Sequence, residues 1–205
     1  MKITWLGHSC FMLESNGYRL VTDPYKGVPG YPPLRIEAHA VYASHSHFDH
    51  TETAAVTILP AMPSPFTVQE METFHDTQQG ALRGMNTVRV FTAEGLRVAH
   101  LGDLGHPLSR SQADALLLCD VLMVPVGGVY TIGAAEAEAL CRRVRPRVIL
   151  PMHYRHGAFG LREVESPAAF CRRVADDYPL CTLGGNSLEV GKDAPQQTIL
   201  LTYPA

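Results

Sequence analysis

Short apolar stretches cut by Gly, Pro and Asn fill the first half of the chain, and in the second half apolar runs alternate with segments of helical periodicity. A period of two sends successive side chains to opposite faces of a strand. On that pattern, strands are predicted over 2–6, 10–14 and 19–22, separated by Gly7-His8-Ser9 and by the hairpin-type turn Ser15-Asn16-Gly17. Asp23-Pro24 ends the third strand, and the three prolines and two glycines of 27–33 mark a loop. Residues 40–43 form a short apolar strand. The proline-punctuated segment 51–65 carries no clear period. A further strand over 66–74 ends at His75-Asp76, 80–84 is a turn, and 87–92 with 96–101 form a hairpin across Ala93-Glu94-Gly95.

Beyond residue 105 the pattern changes. A helix is predicted over 109–119, with Leu108, Leu116 and Leu117 as core candidates, followed by a fully apolar strand over 121–126. A second helix starts at Thr131 or Gly133 and runs through Arg143, with Ala137, Leu140, Cys141 and Val144 at helical spacing. Residues 148–152 are the next strand. Ser166-Pro167 has the signature of an N-cap followed by Pro at the first helical position, opening a third helix that ends near Tyr178-Pro179. Strands over 188–190 and 198–202 close the chain. Strands first, strand–helix alternation afterwards and no linker between them predict one α/β domain over 1–205. Its architecture is an αββα sandwich, two mixed β-sheets face to face with helices on the outer faces.

Composition narrows the function. The chain has 205 residues, 46% hydrophobic and 18% charged, as in ordinary soluble globular proteins. A net charge of −3 leaves no electrostatic footprint for duplex nucleic acid, although it is compatible with a local basic patch. A small-molecule partner, anionic ones included, is expected rather than nucleic acid. The five cysteines are odd in number and show no CxxC pairing, which favours a reduced setting. The N-terminus lacks the apolar core of a signal peptide, and no run approaches 18 apolar residues. A cytoplasmic protein without membrane attachment is expected. A homo-oligomer is compatible with the sequence.

The chemistry concentrates in His45-Ser-His47-Phe-Asp49-His50, directly after the strand over 40–43. Residues i and i+2 of an extended chain share a side, so His45 and His47 can converge on one metal ion. The turn after Phe48 lets Asp49 and His50 reach a second. Imidazole and carboxylate suit Zn²⁺ and its first-row neighbours. Three more candidates each follow a predicted strand: His75, Asp103 and His153. Taken singly, a His after a strand or an Asp after Gly is an ordinary structural residue. Their repeated position at strand ends is what lets them converge at one edge of a sheet sandwich.

These residues, with Trp5-Leu6-Gly7-His8-Ser9, Thr22-Asp23-Pro24, His75-Asp76, His100-Leu101-Gly102-Asp103, Val126-Gly127-Gly128 and Pro151-Met152-His153-Tyr154, make the chain resemble a metallo-β-lactamase-fold hydrolase over nearly its whole length. The nearest resemblance is to the small branch similar to ascorbate-6-phosphate lactonases. It implies two divalent ions, Zn²⁺ first, with Mn²⁺ or Fe²⁺ as alternatives. His45, His47 and His75 would hold one, Asp49, His50 and His153 the other, and Asp103 would bridge both. It also implies a bridging hydroxide as nucleophile, with Asp49 and Asp103 as the catalytic carboxylates. His at position 47 argues against the di-iron oxygen-reducing branch. The lack of Cys at the bridging position argues against a typical β-lactamase.

Asp23 matches a family Asp that supports the ligand loop, although capping of the turn before Pro24 would account for it equally. Candidate substrate-binding residues are His8, His106, Tyr130, Arg155 and His156; Arg155 or His156 could pair with an anionic group. The expected activity is metal-dependent hydrolysis of a small ester, lactone or phosphoester. Two alternatives stay open: a phosphodiesterase or nuclease acting on nucleotides or RNA, and a metal-binding sensor or partner module without turnover.

Overall fold

The computed structural model describes residues 1–203; residues 204 and 205 of the expected domain lie outside the described residues. Two mixed sheets carry the fold. The smaller contains β1 (Lys2–Gly7), β2 (Cys10–Ser15), β3 (Tyr18–Thr22), β5 (Ala40–Tyr42) and β13 (Ser187–Glu189), in the order β13-β1-β2-β3-β5. The larger contains β7 (Thr67–Phe74), β8 (Met85–Ala93), β9 (Leu96–His100), β10 (Val121–Pro125), β11 (Val148–Met152), β12 (Leu180–Thr182) and β14 (Gln197–Leu200), in the order β12-β14-β11-β10-β9-β8-β7. A separate ladder pairs β4 (Ile36–Ala38) with β6 (Val56–Ile58).

Strand directions decide where the loops meet. β1, β2 and β3 are successively antiparallel, so β1 and β3 run the same way, and β5 is parallel to β3. In the larger sheet β9, β10 and β11 are parallel, and β7 is antiparallel to β8, which is antiparallel to β9. The C-terminal ends of β7, β9, β10 and β11 therefore share one edge. The C-terminal ends of β1, β3 and β5 share one edge of the other sheet. Every expected metal-binding residue sits just after one of these ends.

Every residue of β10 and β11 is buried, the sign of strands covered on both faces. One cover is the second sheet. The other comes from α1 (Arg110–Ala115), α2 (Ala134–Val144) and α3 (Ala168–Val174), which all fall in crossovers of the larger sheet. α2 buries Ala137, Leu140, Cys141 and Val144, as its spacing predicts, and α3 buries Phe170, Cys171 and Val174. These side chains join the residues of both sheets in one core. At such positions, truncating Leu150 to Ala is worth about 2–5 kcal/mol.

Several elements differ from expectation. The helix expected over 109–119 ends at Ala115: Ser109 and Gln112 close a capping box at its start, but Leu118 adopts φ +54° and the chain turns away. Leu117 is consequently exposed and not a core residue, whereas Leu116 is buried. Ser166 does not cap α3, which has Pro167 at that position and no side-chain cap. β4, β6 and β12 have three residues each, too short to show a period. Among the described residues no helix is long and apolar enough to cross a membrane, and all five cysteines are free.

Candidate metal centre

The loop after β5 delivers His45, His47, Asp49 and His50; the loops after β7, β9 and β11 deliver His75, Asp103 and His153. The side chains meet in two groups. The ligand atoms of His45, His47 and His75 lie within 4.8 Å of one another, as do those of Asp49, His50 and His153 together with His8. Asp103 stands between the groups. Its Oδ2 is 3.3 Å from His50 Nε2, 3.2 Å from His153 Nε2, 3.5 Å from His75 Nε2 and 4.0 Å from His45 Nε2. Two ligand atoms on a tetrahedral zinc, each about 2.0–2.2 Å from the ion, are about 3.4 Å apart. The spacing of this cluster has that scale.

Donor chemistry supports the same fit. Eight of the eleven buried side-chain polar atoms that lack a hydrogen-bond partner among the described residues belong to this cluster: both ring nitrogens of His8 and His153, His45 Nε2, His50 Nε2, His75 Nδ1 and Asp103 Oδ1. An unpaired buried polar atom costs about 1–3 kcal/mol, so this concentration of bare donor atoms suits a divalent cation. Burial, opposed in part by neighbouring carboxylates, lowers the pKa of His45 to about 3 and that of His8 to about 4, and it also lowers that of His75. Such imidazoles are neutral at pH 7, the form that binds metal. Burial alone would raise the pKa of Asp103, but His153 and His50 hold it well below the carboxylate range.

A carboxylate behind the centre sets its tautomers. Asp23, after β3, accepts from Ser44 N–H at 2.6 Å and from Ser44 Oγ–H at 2.7 Å, and lies 2.9 Å from His50 Nδ1. Burial opposes ionisation of Asp23, yet His50 and Ser44 bring its pKa down to about 2, so it only accepts. His50 Nδ1 must then carry a hydrogen, which makes Nε2 the nitrogen that faces Asp103. Burial disfavours the charged ring, but Asp103 and Asp23 raise its pKa well above the ordinary value, so metal binding at Nε2 would displace a proton. Ser44 Oγ has given its only proton to Asp23, so at 2.9 Å it accepts from His45 Nδ1, which leaves His45 Nε2 bare. One buried carboxylate thereby aims two imidazoles. Gly102 lets the next strand end come close: at φ +54°, a Cβ there would collide with Asn86 and Ser44. Asn86 in turn accepts from Asp103 N–H at 2.9 Å.

A cavity of about 330 Å³ opens onto the cluster. Its wall includes His47, Asp49, His75, Asp103 and His153, together with Phe48, Arg83, Tyr130 and Leu161. Of the five expected substrate-binding residues, Tyr130 alone is on this wall. His8 is 1% exposed and lies behind it. His106 has both ring nitrogens engaged with backbone, at Phe74 N–H (3.1 Å) and Pro107 C=O (2.9 Å). Arg155 and His156 are exposed on a loop away from the wall.

A family model described as a beta-lactamase superfamily domain matches residues 2–153. The chain belongs to the metallo-β-lactamase superfamily. The UPF0173 protein of Pyrococcus furiosus is 30% identical over 184 residues, spanning 75% of this chain and 83% of that one. The UPF0173 metal-dependent hydrolase of Archaeoglobus fulgidus is 28% identical over 201 residues, with the same coverage. A crystal structure of a metallo-β-lactamase superfamily protein from Thermotoga maritima superposes with a TM-score of 0.75 at 31% identity over 99% of each chain. Within the superfamily the chain is therefore a UPF0173-type metal-dependent hydrolase.

The superfamily motif does not contain Arg83, a cavity residue the sequence reading missed. Arg83 closes a loop organised by Asp76, whose carboxylate accepts backbone N–H groups of Gln78 (2.7 Å), Gly80 (3.0 Å), Leu82 (2.9 Å) and Arg83 (2.8 Å). The guanidinium then lies 5.5 Å from the Tyr130 ring centre, a cation–π distance. The phrase His75-Asp76 and the turn over 80–84 were the only sequence signals for this platform.

Proposed function

We propose that this hydrolase uses two divalent ions, Zn²⁺ first with Mn²⁺ or Fe²⁺ as alternatives, to cleave a small anionic ester, lactone or phosphoester. The observation that carries this reading is the position of Asp103 Oδ2, within 3.2–4.0 Å of four imidazole nitrogens drawn from both ligand groups. His45, His47 and His75 would hold one ion and Asp49, His50 and His153 the other, with Asp103 shared. When bound, such ions polarise a carbonyl or phosphoryl oxygen and bring the pKa of water toward neutrality.

The remaining roles fall to the chain. Asp49 Oδ2 faces His8 and His50 at 3.4 and 3.7 Å, which leaves Oδ1 to take a proton from the attacking water. Arg83 stands on the cavity wall with its guanidinium over the Tyr130 ring, where it can pair with an anionic substrate group. Phe48, 62% exposed, and Leu161 give the mouth an apolar rim that keeps bulk water from the reacting group. The size of the cavity favours a small molecule over a polymer, and the resemblance to ascorbate-6-phosphate lactonases is the reason lactones are included.

The test is a panel of esters, lactones and phosphoesters assayed with metal-loaded protein and with Asp103→Asn. Turnover in at least one class, reduced more than about 100-fold by the substitution, is expected. Equal background rates for both proteins across the panel would overturn the reading.

A further inference from the structure

His8 stands outside the ligand set expected from the superfamily motif, yet it is built like a ligand. It lies in the turn between β1 and β2, at φ +52°, a backbone region that a non-glycine residue occupies only when its surroundings hold it there. The surroundings do hold it. The carbonyl oxygen of His8 accepts from Trp5 Nε1–H at 3.0 Å and from the His153 N–H at 3.5 Å. The preceding Gly7, at φ +106°, packs so closely that a Cβ there would lie 2.7 Å from the Tyr31 ring. These constraints turn the imidazole inward, where it is 1% exposed and neither ring nitrogen has a hydrogen-bond partner.

Apart from the Tyr25 ring, edge-on at 6.5 Å, this imidazole faces the second ligand group. Its Nε2 is 3.4 Å from Asp49 Oδ2, the separation of two ligand atoms on one tetrahedral ion. Its ring centre is 4.3 Å from that of His153 and 5.2 Å from that of His50. The imidazoles of the first group pack at 4.5–5.0 Å. All four residues of the second group are buried, whereas His45 and His47 of the first are partly exposed.

We infer that His8 is a ligand of the second ion, so that, beside the shared Asp103, one side of the centre has four protein side chains of its own (His8, Asp49, His50 and His153) and the other has three (His45, His47 and His75). The inference rests on the two-ion reading. A site with more protein ligands retains its metal more firmly, and the one with fewer keeps a position for water or substrate. The buried ion is therefore the tighter and the slower to exchange. His8 also ties the first turn of the smaller sheet to the last ligand loop of the larger, so binding of the second ion bridges the two sheets.

The test is Co²⁺ titration of metal-free wild type, His8→Ala and His8→Gln, read by visible absorption and by competition with a chelator. Wild type is expected to take up two equivalents with resolved affinities. Both variants are expected to bind one equivalent at least 10-fold more weakly, with a changed band for that equivalent and the other unaltered. Two equivalents in wild type with unchanged affinities and spectrum in both variants would overturn the assignment of His8 and leave the two-ion reading standing. Less than one equivalent in wild type would remove both. Long-range ¹H–¹⁵N spectra of wild type with Zn²⁺ decide the point without substitution: a His8 ring nitrogen should shift to the position of a metal-bound imidazole, and an unmoved His8 would contradict the inference.

Discussion

Asp23 and His50, 27 residues apart in the chain, meet at 2.9 Å between a carboxylate oxygen and Nδ1, both buried, and this contact orients the centre from behind. Asp23→Asn can offer an N–H where a lone pair is required, which disturbs the tautomers of His50 and, through Ser44, of His45. We expect metal affinity to fall about 10–100-fold, the usual effect of losing such a partner. Loss of one member of this buried pair is also expected to lower stability by about 3–5 kcal/mol. Chelator competition and thermal unfolding check the two effects separately; an unchanged metal affinity would remove Asp23 from the centre.

Gly102→Ala tests the approach of the β9 loop. Glycine adopts φ +54° without cost, whereas an alanine there is strained and its methyl group would press on Asn86 and Ser44, which position Asp103 and the His45 tautomer. Stability should fall by at least about 1–3 kcal/mol, and the melting temperature by about 2–4 °C for each kcal/mol in a chain of this length. Metal affinity should fall with it. A wild-type melting curve would show that the loop accommodates the methyl group.

Arg83→Gln probes the class of substrate. Charge-assisted hydrogen bonds contribute about 1.5–3 kcal/mol, so kcat/KM on an anionic substrate should fall about 10–150-fold and on a neutral analogue little. Equal losses on both would point to damage of the Asp76-bound loop, and equal retention would remove Arg83 from recognition.

Chelation should destabilise the protein. A ligand that binds only the folded state adds stability as RT ln(1 + [L]/Kd), about 2.7 kcal/mol at one hundred times Kd. Removing metal should therefore lower the melting temperature, and Zn²⁺ should restore it. An identical melting temperature with and without chelator would contradict a folded-state metal centre.

Much of this architecture is legible in the sequence because the signals are local. His45 to His50 occupy six consecutive residues, and strands such as β10 and β11 are continuous apolar runs between turn residues. His75, Asp103 and His153 can be located because each follows a strand, and strand direction brings those ends together. Arg83 is hidden for the opposite reason: it reaches the cavity through a loop folded on the carboxylate of Asp76, a set of backbone hydrogen bonds with no residue signature. Arg155 and His156 follow β11 just as His153 does, yet their loop turns away, and sequence position alone does not carry that direction. His8 is visible as part of Gly7-His8-Ser9, but its inward aim depends on the left-handed backbone and on Tyr31, a distant residue.

The most direct measurement is metal content. Wild-type protein equilibrated with excess Zn²⁺ or Mn²⁺, passed free of unbound ion and analysed by mass spectrometry of the elements, should retain two ions per chain. Retention of less than one would contradict the proposed centre and the hydrolytic mechanism built on it.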